Sequence, residues 1–379
     1  MLDIVGEFFL KELDSLKKSW YKLSLITVLP IVSFILVIAI FYAGVARDMP
    51  IAVIDSDNTQ LSRKLLTNVD ASSTIKIAYK LNSTKEALKL LQNGEVYALL
   101  IIEDKFSKDT LLQKHPHITV MLNTQYILIG KILTSALTST VMQSSAQVEY
   151  IKNLLDMQNP YTTMNSISPI GMQVTPFFNT YQNYFYFLVS ALIPSILQIF
   201  IVITTIVSLG NIFKYKKEKE FFIDNTNIVS KLVGMMLPYT IAFSLIGIIY
   251  ILYIYSMWEF QGSFVLLVFA LFLMVIAYQV IALFLFVTGF DYARALSLGA
   301  VYTAPAFAFL GVTFPVYNMN TFAIFWRNLL PVAHYIELQI SQANYGVDSS
   351  VEFTKLLSII AFWLLFIPVV YMFKKRLSR

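Results

Sequence analysis

The stretch LSLITVLPIVSFILVIAIFYAGVARDMPIAVIDSDNTQLSRKLL, residues 23–66, changes character once, and that change decides the fold. Residues 23–46 contain no Asp, Glu, Lys, Arg or His and exceed the roughly 20 residues that cross a bilayer. After residue 47 the composition becomes that of a soluble domain. The run Ile51–Ile54 reads as a strand, and the polar step through Asp55, Asp57 and Asn58 leads into a helix over Thr59–Val69. A span therefore hands over to a folded domain.

Outward from this junction, five more uncharged runs follow at 184–210, 232–256, 263–290, 295–313 and 356–373. With 57% hydrophobic residues and a mean hydropathy of +0.66, the chain reads as an integral membrane protein of six transmembrane helices. Pro30, Pro194, Pro238, Pro305 and Pro368 fall inside five of the six runs and predict kinks. With the amino terminus inside, the inner segments carry 14 Lys and Arg and the short outer segments 2, which puts both termini in the cytoplasm. The formal charge of +5 then belongs to the membrane rim and gives no case for nucleic acid. Zero cysteines exclude disulfides and thiolate metal sites. The first run is too long for a signal-peptide core and reads as a retained anchor.

Residues 1–22 place Val5, Phe8, Phe9, Leu13, Leu16 and Trp20 at helical intervals. This amphipathic helix is expected to lie at the inner membrane surface or against a cytosolic partner. Residues 47–183 read as an extracytoplasmic α/β domain and linker. After the first strand and helix come a strand at Ile75–Tyr79, a helix at Ser83–Gln92 with Ser83 and Glu86 in capping-box spacing, and a strand at Val96–Ile102. A helix over Lys105–Gln113, a strand at Ile118–Leu122 and a long helix over Ile127–Leu155 complete it, and 156–183 is a Pro-containing linker. The outer segment 314–355 is too apolar for an exposed loop, while Pro315 and Pro331 divide it into pieces too short to span. It reads as a re-entrant or interfacial hairpin.

Candidate chemistry is sparse. The motif IAVIDSDNT, with Asp55, Asp57 and Thr59, fits the opening of haloacid-dehalogenase phosphotransferases, yet a strand running into a helix needs these residues merely as caps. A calcium loop fails because Gln60 stands where a glycine is required. His115 and His117 lack further ligands nearby and read as a turn. There is no GxxxxGK[ST] phosphate cradle, so no ATPase site is expected in this chain. Gln198 and Gln279 lie inside spans, where they contact substrate or bond between helices. His334 and Glu337, one turn apart, either line a substrate path or satisfy one another.

The segments IAVIDSDNTQLSRKLL, STKEALKLLQNGEVYALLIIEDKFSKD, KLVGMMLPY and GVTFPVYNMNTFAIFWRNLLPVAHYIEL together resemble the permeases of type-two ATP-binding-cassette exporters, in the subgroup with a large extracytoplasmic insert after the first span. The resemblance implies a multi-pass protein of the bacterial inner membrane that pairs with a second permease copy or paralogue and with separate ABC ATPase subunits. ATP and magnesium would then sit on the partner. It also implies that Lys217, Glu218, Lys219 and Glu220, in the loop KYKKEKEFFIDNTNIVSK, couple to that ATPase, although Phe221, Phe222 and Ile223 replace the family's Gly-Thr step. The outer domain would shape the exit or engage a periplasmic adaptor. An envelope receptor or assembly scaffold is the competing expectation, and an adjacent ATPase gene would discriminate between them. A secondary transporter is disfavoured, because the spans lack an ion-coupling charge.

Overall fold

The computed structural model describes residues 2–44, 46–112, 114, 116–123, 127–155, 183–214, 227–257 and 260–377. They belong to two compact units, Met1–Gly44 with Pro176–Arg379, and Val45–Thr175. The chain opens with α1 (Leu2–Lys18), then α2 (Trp20–Ile26) and α3 (Val28–Phe41), which together form the first span. The break between α2 and α3 falls at Thr27, three residues before Pro30, whose ring bars a regular helical hydrogen bond.

The second unit is a four-stranded sheet, order β2-β1-β3-β4, with helices between the strands. In chain order it runs β1 (Met49–Asp55), α4 (Gln60–Asp70), β2 (Ile75–Lys80), α5 (Thr84–Gln92), β3 (Ala98–Ile102), α6 (Phe106–Leu111), β4 (Ile118–Leu122) and α7 (Ile127–Leu155). β1 pairs in parallel with β2 and β3, and β3 pairs antiparallel with β4. The two central strands are buried on both faces. Val53, Leu100 and Ile102 pack with Leu65, Leu133 and Leu137 on one side, and Ala52, Ile54 and Leu99 with Ala87 and Val96 on the other. That two-sided burial is why they read as continuous apolar runs. One cap differs from expectation. Exposed Ser83 makes no side-chain cap, whereas Thr59 and Ser62 form a reciprocal capping box at α4. Gly94, at φ +76°, ends α5 as its Asn-Gly pair predicts.

The first unit continues with α8 (Tyr184–Lys214), α9 (Ile228–Ser256) and α10 (Phe264–Val287). Then come α11 (Tyr292–Thr303), the one-turn α12 (Ala306–Phe309), α13 (Thr321–Asn328), α14 (Pro331–Ile340), a π-turn at Ser341–Tyr345, α15 (Phe353–Ala361) and α16 (Phe366–Leu377). Among the described residues five helical stretches are long and apolar enough to cross a membrane: Trp20–Phe41, Tyr184–Lys214, Ile228–Ser256, Phe264–Val287 and Phe353–Arg376. The run at 295–313, expected as a further span, is instead broken at Ala304–Pro305. Its longer piece has 12 residues, about 18 Å at 1.5 Å per residue, against a hydrocarbon core of about 30 Å. Pro194 and Pro238 sit within helices that continue past them. Helices α8 and α10 form the centre, packed on each other and on α9, while the first and last spans are peripheral and expose apolar faces. Close approach needs glycine at Gly210, where the ring of Tyr292 on α11 lies 2.1 Å from where a Cβ would stand.

Candidate functional site

The buried charge of this bundle comes from α1 and from the first turn of the first span. Helix α1 packs along α9, and at the crossing the carbonyl of Val5 lies 2.5 Å from the place of a Cβ on Gly234, so only glycine admits the contact. The buried stripe of α1 is Phe8, Glu12 and Leu16, one turn apart, and Glu12 is only 2% exposed. Glu12 Oε1 accepts from Lys22 Nζ at 3.1 Å, from Ser208 Oγ of α8 at 2.8 Å, and from the hydroxyl of Tyr239 of α9. Lys22 Nζ donates also to Ser15 Oγ at 2.9 Å. One carboxylate thus ties α1, α2, α8 and α9 together. Trp20, placed by its spacing on the apolar stripe, is 81% exposed. Sequence reasoning missed Glu12, although its position four residues from both Phe8 and Leu16 was the available signal.

The two span glutamines lie in different seams. Gln279 Nε2 donates to the Met236 carbonyl at 3.2 Å and its Oε1 accepts from Thr240 Oγ1 at 2.8 Å, which joins α10 to α9. Gln198 Nε2 reaches the Thr303 carbonyl at 3.4 Å, joining α8 to α11, and no described residue donates to its Oε1. Gln279 is thus an interhelical tie with both ends occupied, and Gln198 a half-satisfied one.

His334 and Glu337, expected as a pair, each bond elsewhere. Glu337 Oε2 accepts from Arg327 Nη2 at 2.7 Å, and His334 Nε2 lies 3.2 Å from the Asn328 carbonyl. The reason is α13, which brings a guanidinium that outcompetes an imidazole for the carboxylate. Within the apolar segment 314–355, α14, started by Pro331, buries Val332, Tyr335, Ile336 and Gln339 against the bundle, whereas Phe322, Phe325 and Leu329 on and beside α13 stay exposed. Beyond it Gln342 accepts from the Ser263 amide at 2.9 Å and Ser341 donates to Glu352 at 2.7 Å, fastening the turns before α10 and α15 to the π-turn.

In the α/β unit the Asp55 and Asp57 carboxylates are spent on the turn. Asp55 accepts from the amides of Asp57 and Asn58 and from Ser62 Oγ. Asp57 accepts from Thr59 Oγ1 at 2.6 Å and from the amide and hydroxyl of Ser107. Burial is the largest single influence on the Asp57 carboxyl and pushes it up, but the hydrogen bonds from Ser107 and Thr59 together outweigh it and hold its pKa below the ordinary 3.8. This is the capping arrangement. A cleft of about 360 Å³ opens between α4, α6, β4 and α7, with Lys64, His117 and Glu149 on its walls. His115 and the residues Lys217, Glu218, Lys219 and Glu220 lie outside the described residues.

A bundle of apolar helices long enough to cross a membrane, in a chain with a separate α/β unit, is the architecture of a polytopic membrane protein. The family model described as ABC-2 family transporter protein matches residues 21–372, nearly the whole chain, and the protein belongs to that family. No curated protein matches the chain. This is a family of transport permeases, generally without a nucleotide-binding site of their own and normally working with an ATPase subunit.

Proposed function

We propose that this chain is the permease subunit of an exporter, in the subgroup with a large extracytoplasmic insert, driven by a separate ATPase subunit that holds ATP and magnesium. It would work as a pair with a second copy or a paralogue, in the inner membrane of a bacterium, with both termini in the cytoplasm and the α/β unit outside. A sixth crossing is then supplied by α11 and α12 as one helix broken at Pro305, as broken helices are tolerated where other helices shelter them. The carrying observation is the Glu12 cluster. It fastens a cytosolic-face helix to α8 and α9, the two helices flanking the charged loop with Lys217–Glu220, so a push on the cytosolic side reaches the spans. Differential binding of the partner's nucleotide states would shift the permease between its conformations.

The buried carboxylate does not revive ion coupling, since Glu12 already has a resident cation in Lys22. Copurification from the native host should recover an ATPase whose hydrolysis in liposomes rises with substrate. Uphill transport by the purified chain alone, on a proton or sodium gradient, refutes the proposal. The cleft of the α/β unit supports a second reading, a receptor or assembly scaffold whose outer domain takes a ligand, or an exporter whose adaptor docks there. Signalling that survives without any ATPase partner would select the receptor.

A further inference from the structure

Helices α9 and α10 and the junction of α15 with α16 enclose a cavity of about 380 Å³, room for about a dozen groups of water size at roughly 30 Å³ each. Its walls include Leu237, Ile276, Val280, Trp363 and Phe366. Val233 and Phe272, which also line it, are 42% and 38% exposed, so the cavity reaches the lateral surface of the bundle. Leu364 and Ile367 beside it are exposed and apolar. Of the polar groups on its wall, Thr240 and Gln279 are bonded to each other and to the Met236 carbonyl, while the Trp363 indole N–H has no partner among the described residues.

A chain already dissolved in a bilayer gains no hydrophobic free energy by entering such a cavity. Selection must come from the headgroup. Two turns beyond Phe366, about 12 Å along the helix, α16 ends in exposed Lys374, Lys375 and Arg376, the last held over the Phe290 ring at 5.7 Å. A basic helix end at the inner membrane rim attracts anionic headgroups. We propose that the cavity holds one acyl chain of an anionic phospholipid of the inner leaflet, with its headgroup at the Lys374–Arg376 end. This site lies on the lateral surface; it rests on the proposed cytoplasmic carboxyl terminus and not on export itself.

Trp363 is one of four tryptophans and reports on the cavity. In a full chain carrying Trp20→Phe, Trp258→Phe and Trp326→Phe, reconstituted in phosphatidylcholine vesicles, chain-brominated phosphatidylglycerol should quench Trp363 at about fivefold lower mole fraction than brominated phosphatidylcholine. That factor corresponds to ~1 kcal/mol at 1.4 kcal/mol per tenfold. Val280→Phe, which fills the cavity, should abolish the difference, and so should the joint change Lys374→Gln, Lys375→Gln and Arg376→Gln. Equal quenching by the two lipids overturns the proposal, as does a preference that survives either variant. Should the tryptophan-depleted chain not fold, native mass spectrometry of the natural chain decides. Retention of phosphatidylglycerol over equimolar phosphatidylcholine supports the site, and equal retention overturns it.

Discussion

Glu12→Gln should loosen α1 from the bundle. The glutamine oxygen can still accept from Ser208 and Tyr239, but it is neutral, and Lys22, with a side chain 5% exposed, is left as a buried cation without its counter-charge. Breaking one partner of a buried pair costs about 3–5 kcal/mol. At 1.4 kcal/mol per tenfold, the lower end is at least a hundredfold change in an opening equilibrium.

The readout is hydrogen exchange of the α1 amides in nanodiscs, because local opening free energies are what exchange reports. Glu12→Gln and Lys22→Met should each raise α1 exchange about a hundredfold or more. The double variant removes both charges, so it should be less perturbed than the sum of the singles by at least about 1 kcal/mol. Additivity to within about 0.5 kcal/mol would show that Glu12 and Lys22 do not interact, and would refute the cluster as the tie that holds α1.

Three further outcomes follow from the same geometry. Gly234→Ala places a Cβ 2.5 Å from the Val5 carbonyl, so α1 must shift; a loss of about 1–3 kcal/mol, read as a lowered melting temperature in detergent with faster α1 exchange, is expected. Gln279→Leu removes one interhelical tie and should cost only about 0.6 kcal/mol, with melting shifted by a few degrees at most. For Asp57 the sign is fixed by its lowered folded-state pKa: its contribution is complete above pH 3.8, the ordinary value, and is lost as pH falls through the lower folded value. Asp57→Asn should therefore lower the stability of the α/β unit at neutral pH and flatten its acid end, so that variant and natural chain, followed by circular dichroism, converge as pH falls through the folded value.

The α/β unit was legible because period and punctuation agreed: strands such as Ile75–Lys80 and helices such as Gln60–Asp70 begin and end within two residues of the pattern. The run 295–313 did not show its break, because apolar composition measures affinity for the membrane and not helical continuity, which Pro305 interrupts. The site was less legible. Gln279 was rightly placed as either path or tie, and the choice needed the position of Thr240 on a neighbouring helix. The pairing of His334 with Glu337 looked sound locally, but Arg327 reaches Glu337 from α13, a contact made by a turn in the chain and not by helical spacing. Glu12 escaped because a charged residue on an apolar stripe looks like a boundary of that stripe until its partner Lys22, ten residues on and across the break at Ser19, is seen folded back.

That fold-back explains how the bundle contains an ion pair while its spans carry charge only towards their ends. A Lys or Asp at the centre of an inserting helix costs about 2.5–3.5 kcal/mol on insertion scales, so apolar spans enter the bilayer more readily than charged ones. Placing Glu12 on α1 and Lys22 near the start of α2 lets the spans insert first, with the pair forming when α1 docks on α8 and α9. The consequence is mechanical. Detaching α1 exposes or strands a charge at about 3–5 kcal/mol, whereas moving α1 with α8 and α9 as a body leaves the cluster intact. Under the proposed function, a partner pushing on α1 would therefore meet less resistance in carrying the two spans along than in peeling α1 away. For this reason a variant that breaks the cluster should lose the coupling of ATP hydrolysis to transport before it loses the fold of the bundle.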